Sequence, residues 1–418
     1  MLNYVIIGNS AAAIGCVEGI RKLDKDTPIV IISDEPHRTY SRPLISYRLG
    51  GQTKHDKIFY RGENFYTDNN VSTLLGKRVA KLNASSVTLS SGEEIAFGKL
   101  LVATGSKPFV PPMTGLDNVK NKFTFMDLDS SIAIDGLVTN GAKSALIVGA
   151  GLIGLKAAEA LLLRGVAVTV IDMAAKVMPS VLDDEGSALI KARLEQNGAK
   201  FILGTVADKF DEATAYLKNG DKVDFDVLVL AVGVRPNTEL VKEAGGEVGL
   251  GIKTDKFQKT TLDNVYAAGD CTESFDITAG KDKILALLPN AYLQGEAAGV
   301  SMAGGEMPYD KAIPMNAIGF FGLHVISAGD SMRTDGKVYA EQIKDKSGNV
   351  TGYKKLVFGE NKLVGYILID EVDRAGIYTS LIREQTSLSD VDVTELEKSP
   401  RLMLYGKSYR KEKLGGQV

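Results

Sequence analysis

The chemistry of this chain is announced by glycines and a few carboxylates. Residues 145–154 read ALIVGAGLIG, so Gly149, Gly151 and Gly154 make a complete G-x-G-x-x-G turn between an apolar strand and the helix LKAAEALLLRG. Such a turn lets backbone N–H groups approach a pyrophosphate at a helix N-terminus, where the macrodipole favours anions. The strand VAVTVI then delivers Asp172, 18 positions after Gly154, where a ribose 2′-hydroxyl ligand belongs. Met173, Ala174 and Ala175 follow it, with no arginine to receive a 2′-phosphate. A carboxylate facing that phosphate is repulsive, so NADH is expected over NADPH. A degenerate copy lies about 140 positions upstream: the strand YVII, then Gly8, Ser10 and Ala13 in GNSAAA, then IVIISDE presenting Asp34 and Glu35. Ser10 replaces the glycine that permits the closest approach to a phosphate, although its hydroxyl can itself donate a hydrogen bond. Two nucleotide folds in one chain imply two nucleotides held against each other, and the simplest chemistry for such a pair is hydride transfer between a nicotinamide and a flavin.

A further carboxylate, Asp270, ends the apolar strand of NVYAAGDC (264–271) after Gly269. There it is placed to accept hydrogen bonds from a ribityl chain; a turn or helix N-cap role is the alternative. Two strand-to-turn segments repeat one pattern. KLLVATGSKPFVPP (99–112) carries Thr104 and Gly105, and DVLVLAVGVRPN (226–237) carries Gly233, each with a proline a few residues on. This near-repeat suggests that one nucleotide domain duplicates the other. SVTLS (86–90) reads as part of a small antiparallel meander. From about residue 313 the composition changes to strand-like IGFFGLHVISAG and YKKLVFGENKLVGYILI, with a turn at Gly359–Asn361 and a helix around 373–384. The expected fold is α/β: two Rossmann-like nucleotide domains plus a small C-terminal α+β domain. Residues 1–112 and 240–312 form a discontinuous FAD domain, 113–239 an inserted NAD domain, and 313–418 the third.

The bounds agree. The 418 residues suggest two to three domains, and 44% hydrophobic with 24% charged residues is ordinary globular composition. A formal charge of -3 argues against nucleic acid. No apolar run approaches the roughly 20 residues of a membrane helix, and Tyr4–Gly8 already begins a nucleotide fold where a leader would lie. Two cysteines far apart in sequence, Cys16 and Cys271, suggest a reducing compartment, so the expected location is the cytoplasm.

In order, VIIGNSAAA, SDEPHRTYSRPLIS, LLVATGSKP, IVGAGLIG, VLAVGVRPN and VYAAGDC resemble the FAD- and NAD-linked pyridine nucleotide oxidoreductases. Within them the chain is most similar to the NADH:rubredoxin reductase, nitrite reductase flavin-domain and ferredoxin reductase branch. The motifs span residues 5–271, with PNAYLQG extending the match to about 295; the last hundred residues match only in general character. The resemblance implies FAD and NADH as cofactors. It places Gly8, Ser10 and Ala13 at the FAD pyrophosphate, Asp34 or Glu35 at the adenosine ribose, Arg42 and Pro43 along the FAD site, and the Val79 backbone beside the adenine. Thr104 and Gly105 close that site, and Asp270 binds the ribityl chain.

Two departures from the family matter. Its disulfide-reducing branches carry a cysteine beside the flavin, in the segment corresponding to 36–50, and this chain has none there. A flavin-side thiolate relay therefore lacks its nucleophile. Cys271 and Cys16 read as small buried fillers. Related ferredoxin reductases also pair a lysine after the R-P loop with a glutamate two residues past the third glycine. Here Ser46 is taken to stand at the first place and Lys156 at the second, which puts a cation near the flavin N5; an exposed helix lysine is the alternative. The three histidines form no metal pattern, and His37 reads as a loop residue that could flank the flavin. The basic tail (Lys407, Arg410, Lys411, Lys413) either docks an acidic carrier or is simply solvated. Taken together, the expected activity is hydride transfer from NADH to FAD, followed by single electrons to a small iron-sulfur or rubredoxin-type carrier. An NADH oxidase, or a flavin-bearing subunit with little turnover of its own, is the alternative. No nucleic acid or membrane is expected as partner, and a homodimer or association with a larger redox complex stays open.

Overall fold

The computed structural model describes residues 3–389, 391–401, 404, 406, 410 and 411. Lys407 and Lys413 of the basic tail lie outside the described residues. Two five-stranded parallel sheets form the body, and their strand orders match. In the first, Tyr4–Ile7 lies centrally, between Lys99–Val102 (then Val265–Ala267) on one side and Ile29–Ser33 (then Val71–Leu75) on the other. In the second, Ser144–Val148 lies centrally, between Val227–Leu230 (then Lys122–Phe123) and Ala167–Asp172 (then Lys200–Leu203). The central strands are almost wholly apolar because both faces of each sheet are covered, one by helices and the other by short antiparallel strands. The pairing of Val265–Ala267 with Lys99–Val102 brings the chain back to its first sheet after residue 239.

The duplication extends further than the near-repeat of 99–108 and 226–237. Each unit also carries a three-stranded antiparallel meander, Val79–Ala96 in one and Ala207–Asp224 in the other. The two units are joined by a two-stranded antiparallel crossing of Ser106–Pro108 with Val234–Pro236. These are the two proline-bearing exits, held edge to edge where each proline's missing N–H costs nothing.

The C-terminal sheet is antiparallel, in the order Met315–Phe320, Leu323–Gly329, Lys362–Ile369, Val350–Gly359, Lys337–Lys344. Glu360 and Asn361 both take positive φ (49° and 60°) in a tight hairpin, as the Gly-Glu-Asn signal requires. Helix Ala375–Arg383 packs on one face, contributing Tyr378, Leu381 and Ile382. The other face joins a continuous apolar core. Val325, Tyr353, Ile367 and Ile369 pack there with Leu182, Ile190 and Leu194 of the second unit, and with Tyr40, Ile45 and Leu49 from the first. One core therefore runs through all three parts of the chain, and the segment around residues 40–49 belongs to it.

Candidate active site

The two nucleotide turns share one backbone device. Gly8 and Gly149 have φ of +112° and +114°, and a Cβ at either would run into a carbonyl of the neighbouring strand's exit, Ala103 O or Ala231 O. Only glycine fits that approach. Each turn opens a helix, Ala11–Leu23 or Leu152–Leu163, whose N-caps Ser10 and Gly151 make no side-chain capping bond and whose first turns hold no acid. The first-turn N–H groups are thus left to a ligand, and an anion is the ligand that the dipole favours. A Cβ at Gly151 would meet nothing within 4 Å. Ala13 and Gly154, at the third position of each turn, are both buried.

Around the first turn, Asn9, Ser10, Ser33, Glu35, His37, Tyr40 and Arg42 line a small polar recess. Of the two acids offered for the ribose, Asp34 is exposed and Glu35 points into this recess. Glu35 accepts from Tyr40 Oη at 2.5 Å and pairs with Arg42. Arg42 also donates to Met126 O at 3.0 Å. Pro43 is exposed at the start of the short helix Leu44–Leu49. Val79 is buried at the start of the first meander, in one core with Val5, Ile7 and Ile32 of the first sheet. His37 reaches Asp129 Oδ1 at 2.7 Å, across to the second unit.

Thr104 and Gly105 are tied to the linker. Thr104 Oγ1 donates to Asn237 O at 2.9 Å, Asn237 Nδ2 returns a bond to Thr104 O at 2.8 Å, and the Asn237 N–H donates to Gly105 O at 2.9 Å. Gly233 (φ +123°) is exposed at the matching turn. Gly269 takes a positive φ (+86°) immediately before Asp270. Asp270 carries no salt bridge among the described residues; its carboxylate meets Ser106 Oγ at 3.5 Å. Burial raises its pKa, an effect that Arg42 and the Ser106 hydroxyl oppose. A desolvated, under-partnered carboxylate fits hydroxyl donors of the kind a ribityl chain offers. Behind it, Cys271 is fully buried with its thiol pushed up to about 11 by desolvation, and Cys16 is buried against Met302. Neither is a nucleophile at neutral pH.

At the second turn, Asp172 does more than wait for a ribose. One oxygen accepts from Ala150 N at 2.6 Å and the other from Ala174 N at 2.7 Å, so the carboxylate braces the turn while each oxygen keeps a lone pair for a hydroxyl.

Lys156 lies one turn into the second helix. Its ammonium pairs with Glu159, donates to Gly319 O at 3.2 Å and stands 4.3 Å from the Tyr47 ring centroid. The sequence comparison put Ser46 opposite Lys156; the structure puts Tyr47 there instead. Ser46 is buried and donates to Pro43 O at 3.0 Å. The reason is the helix Leu44–Leu49, which turns adjacent positions to different faces. Tyr47, Glu159 and Arg193 were not singled out from the sequence. Glu159 carries a legible signal, three residues after a lysine on one helix face; the others carry none.

With this geometry in place, the comparisons with known proteins decide the family. Residues 2–295 match the family described as pyridine nucleotide-disulphide oxidoreductase. The chain belongs to that family. Its members are oxidoreductases that use FAD and NADH, and the turns and carboxylates above fit both. Residues 314–386 match the family described as the rubredoxin NAD+ reductase C-terminal domain. Among relatives, the NADH-dependent phenylglyoxylate dehydrogenase subunit epsilon of Aromatoleum evansii is 31% identical over 92% of this chain and 92% of its own. The assimilatory nitrate reductase electron transfer subunit of Bacillus subtilis is 32% identical over 94% of this chain, which spans about half (51%) of that relative's length. Among solved structures, an NAD-dependent persulfide reductase from A. fulgidus superimposes with a TM-score of 0.86 at 25% identity, covering 93% of this chain and 78% of the other.

Proposed function

We propose that this chain is an electron-carrier reductase that oxidises NADH and passes the electrons to a small iron protein of the rubredoxin or ferredoxin type. Bound FAD supplies the hydride acceptor and the two-electron to one-electron step. The chain's own residues bind and align. Amides following Gly8 and Gly149 hold the two pyrophosphates, Asp172 orients the NADH ribose, Glu35 with Arg42 forms the adenosine end of the flavin site, and Asp270 takes the ribityl hydroxyls. No side-chain acid or base is required for hydride transfer itself, so proximity and alignment carry the rate.

The observation that carries this reading is the missing thiol. Segment 36–51 contains no cysteine, and both cysteines of the chain are buried elsewhere with raised pKa values. A persulfide or disulfide route lacks its nucleophile, whereas the C-terminal residues 314–386 belong to a type known from rubredoxin reduction. We assign residues 1–112 with 240–312 to FAD, 113–239 to NADH and 313–418 to the third domain. The two unpaired thiols suit a cytoplasmic site of action; among the described residues no helix is long and apolar enough to cross a membrane.

The test is anaerobic flavin bleaching by NADH, followed by a reductase assay against rubredoxins, ferredoxins and oxygen. Carrier reduction well above the oxygen rate is expected, and a dithionite titration should consume two electrons per chain. Turnover with oxygen alone points to an oxidase, and four electrons per chain would contradict the missing-thiol argument.

A further inference from the structure

The hairpin turn that ends strand Met315–Phe320 is gripped by the NADH half of the molecule. Phe321 and Gly322 both have positive φ (46° and 80°), as a two-residue hairpin turn needs. Lys156 donates to Gly319 O, Glu159 accepts the Phe321 N–H at 2.6 Å, and Arg193 donates to Phe321 O at 2.9 Å. Phe320 is fully buried beside this grip. The Lys156 ammonium also lies over Tyr47, on helix Leu44–Leu49, which the proposed function sets on the flavin side. The pair Lys156–Glu159 therefore touches all three parts at once: flavin-side helix, NADH helix and C-terminal sheet. Its side chains are 12% and 5% exposed. A pair so deeply placed contributes little net stability, because desolvation offsets the attraction, but it fixes the geometry of what it joins.

We infer that Lys156 and Glu159 are positioning residues through which the C-terminal domain sets the NADH helix against the flavin-side helix. This rests on the proposed NADH-to-FAD reading. The ammonium is committed to Glu159, Gly319 and Tyr47, so it acts on hydride transfer by alignment; a displacement of about 1 Å between reacting groups costs on the order of 100-fold in rate. The same contact gives the C-terminal domain a role in the first half-reaction, upstream of any carrier.

The experiment is stopped-flow bleaching of the FAD-loaded protein by NADH, with the flavin midpoint potential, the NADH Kd and the melting temperature measured alongside. Lys156→Met keeps the stem and removes the charge. It should slow bleaching at least about tenfold with potential and Kd unchanged, and Lys156→Arg should recover most of the rate. Glu159→Gln, which retains an acceptor for the Phe321 N–H, should fall between them. A shifted potential in Lys156→Met overturns the inference and gives the ammonium an electrostatic role at the flavin. An unchanged bleaching rate overturns it too. If Lys156→Met loses FAD, Tyr47→Leu removes the ring contact without stranding a charge, and an unaltered rate there is equally decisive against alignment. Unmodified protein whose flavin NADH fails to bleach overturns the proposed function itself, and this inference with it.

Discussion

The two nucleotide turns have nearly the same backbone and different surroundings. The first helix, Ala11–Leu23, lies against a helix that covers the same sheet: Gly15 and Gly19 sit so tightly on helix Leu288–Met302 that a Cβ would strike the carbonyls of Tyr292 and Glu296. The second, Leu152–Leu163, packs outward on helix Leu44–Leu49 and the C-terminal hairpin. Their acids differ in the same way. Glu35 is tied to Tyr40 and Arg42 inside its recess, while Asp172 braces its turn and keeps capacity for a ribose. The same backbone turn therefore stands in two settings. In the first its helix packs on a helix from residues 288–302 that lies against the same sheet; in the second its helix packs on neighbours from the other two parts of the chain.

The largest expected effect tests whether the second turn is a binding device only. Gly151→Val adds a branched side chain where a Cβ meets nothing within 4 Å, so folding and FAD content should be unchanged while NADH binds at least about 100-fold more weakly, about 2.7 kcal/mol. A lowered melting temperature in titrations of the variant would make the turn structural instead. Asp172→Ala comes next. It strands the Ala150 and Ala174 N–H groups and the ribose hydroxyls, costing about 1–3 kcal/mol of NADH affinity and narrowing the preference over NADPH. Equal use of both nucleotides by the unmodified enzyme would end the ribose assignment.

Asp270 bears on the first turn through pH. Its pKa in the flavin-free protein is raised, mainly by burial, above the ordinary 3.8. The carboxyl thus favours folding while protonated, and its contribution is lost as pH rises from near 3.8 through the raised value. Flavin-free Asp270→Asn should accordingly be more stable than the parent at pH 7, with the difference closing in acid, yet bind FAD more weakly. Denaturant midpoints across pH check the first part, and no pH-dependent difference would remove the desolvation argument. Smallest is Ser10→Ala: losing one hydroxyl bond to a phosphate should cost about 1 kcal/mol, roughly fivefold in FAD affinity by fluorescence titration. Wild-type affinity in that variant would mean that the Ser10 backbone alone serves the phosphate.

Much of this was legible because it is local. The turns at Gly8 and Gly149, the strands flanking them and the hairpin at Glu360–Asn361 follow from a few adjacent residues whose φ and hydrophobic pattern leave little choice. The second meander, Ala207–Asp224, was not read, although its middle strand TAYL alternates half-buried and buried positions just as SVTL does in the first; only the equivalence of the two units makes it an expectation. The glycine spacing of Gly15 and Gly19 with Gly295 and Gly299 was present in the sequence, but it acquires meaning only once the two helices are known to cross.

Residue type and short-range spacing alone establish that two dinucleotide folds share this chain, that Asp172 follows one turn and Asp34–Glu35 the other at the spacing of a ribose ligand, and that segment 36–51 holds no cysteine. Only the tertiary structure decided that Tyr47 rather than Ser46 faces Lys156, that Asp172 braces its own turn, and that residues 40–49 share a core with the C-terminal sheet. Those facts depend on contacts between segments a hundred or more residues apart, or on which way a short helix faces, and no local pattern encodes either.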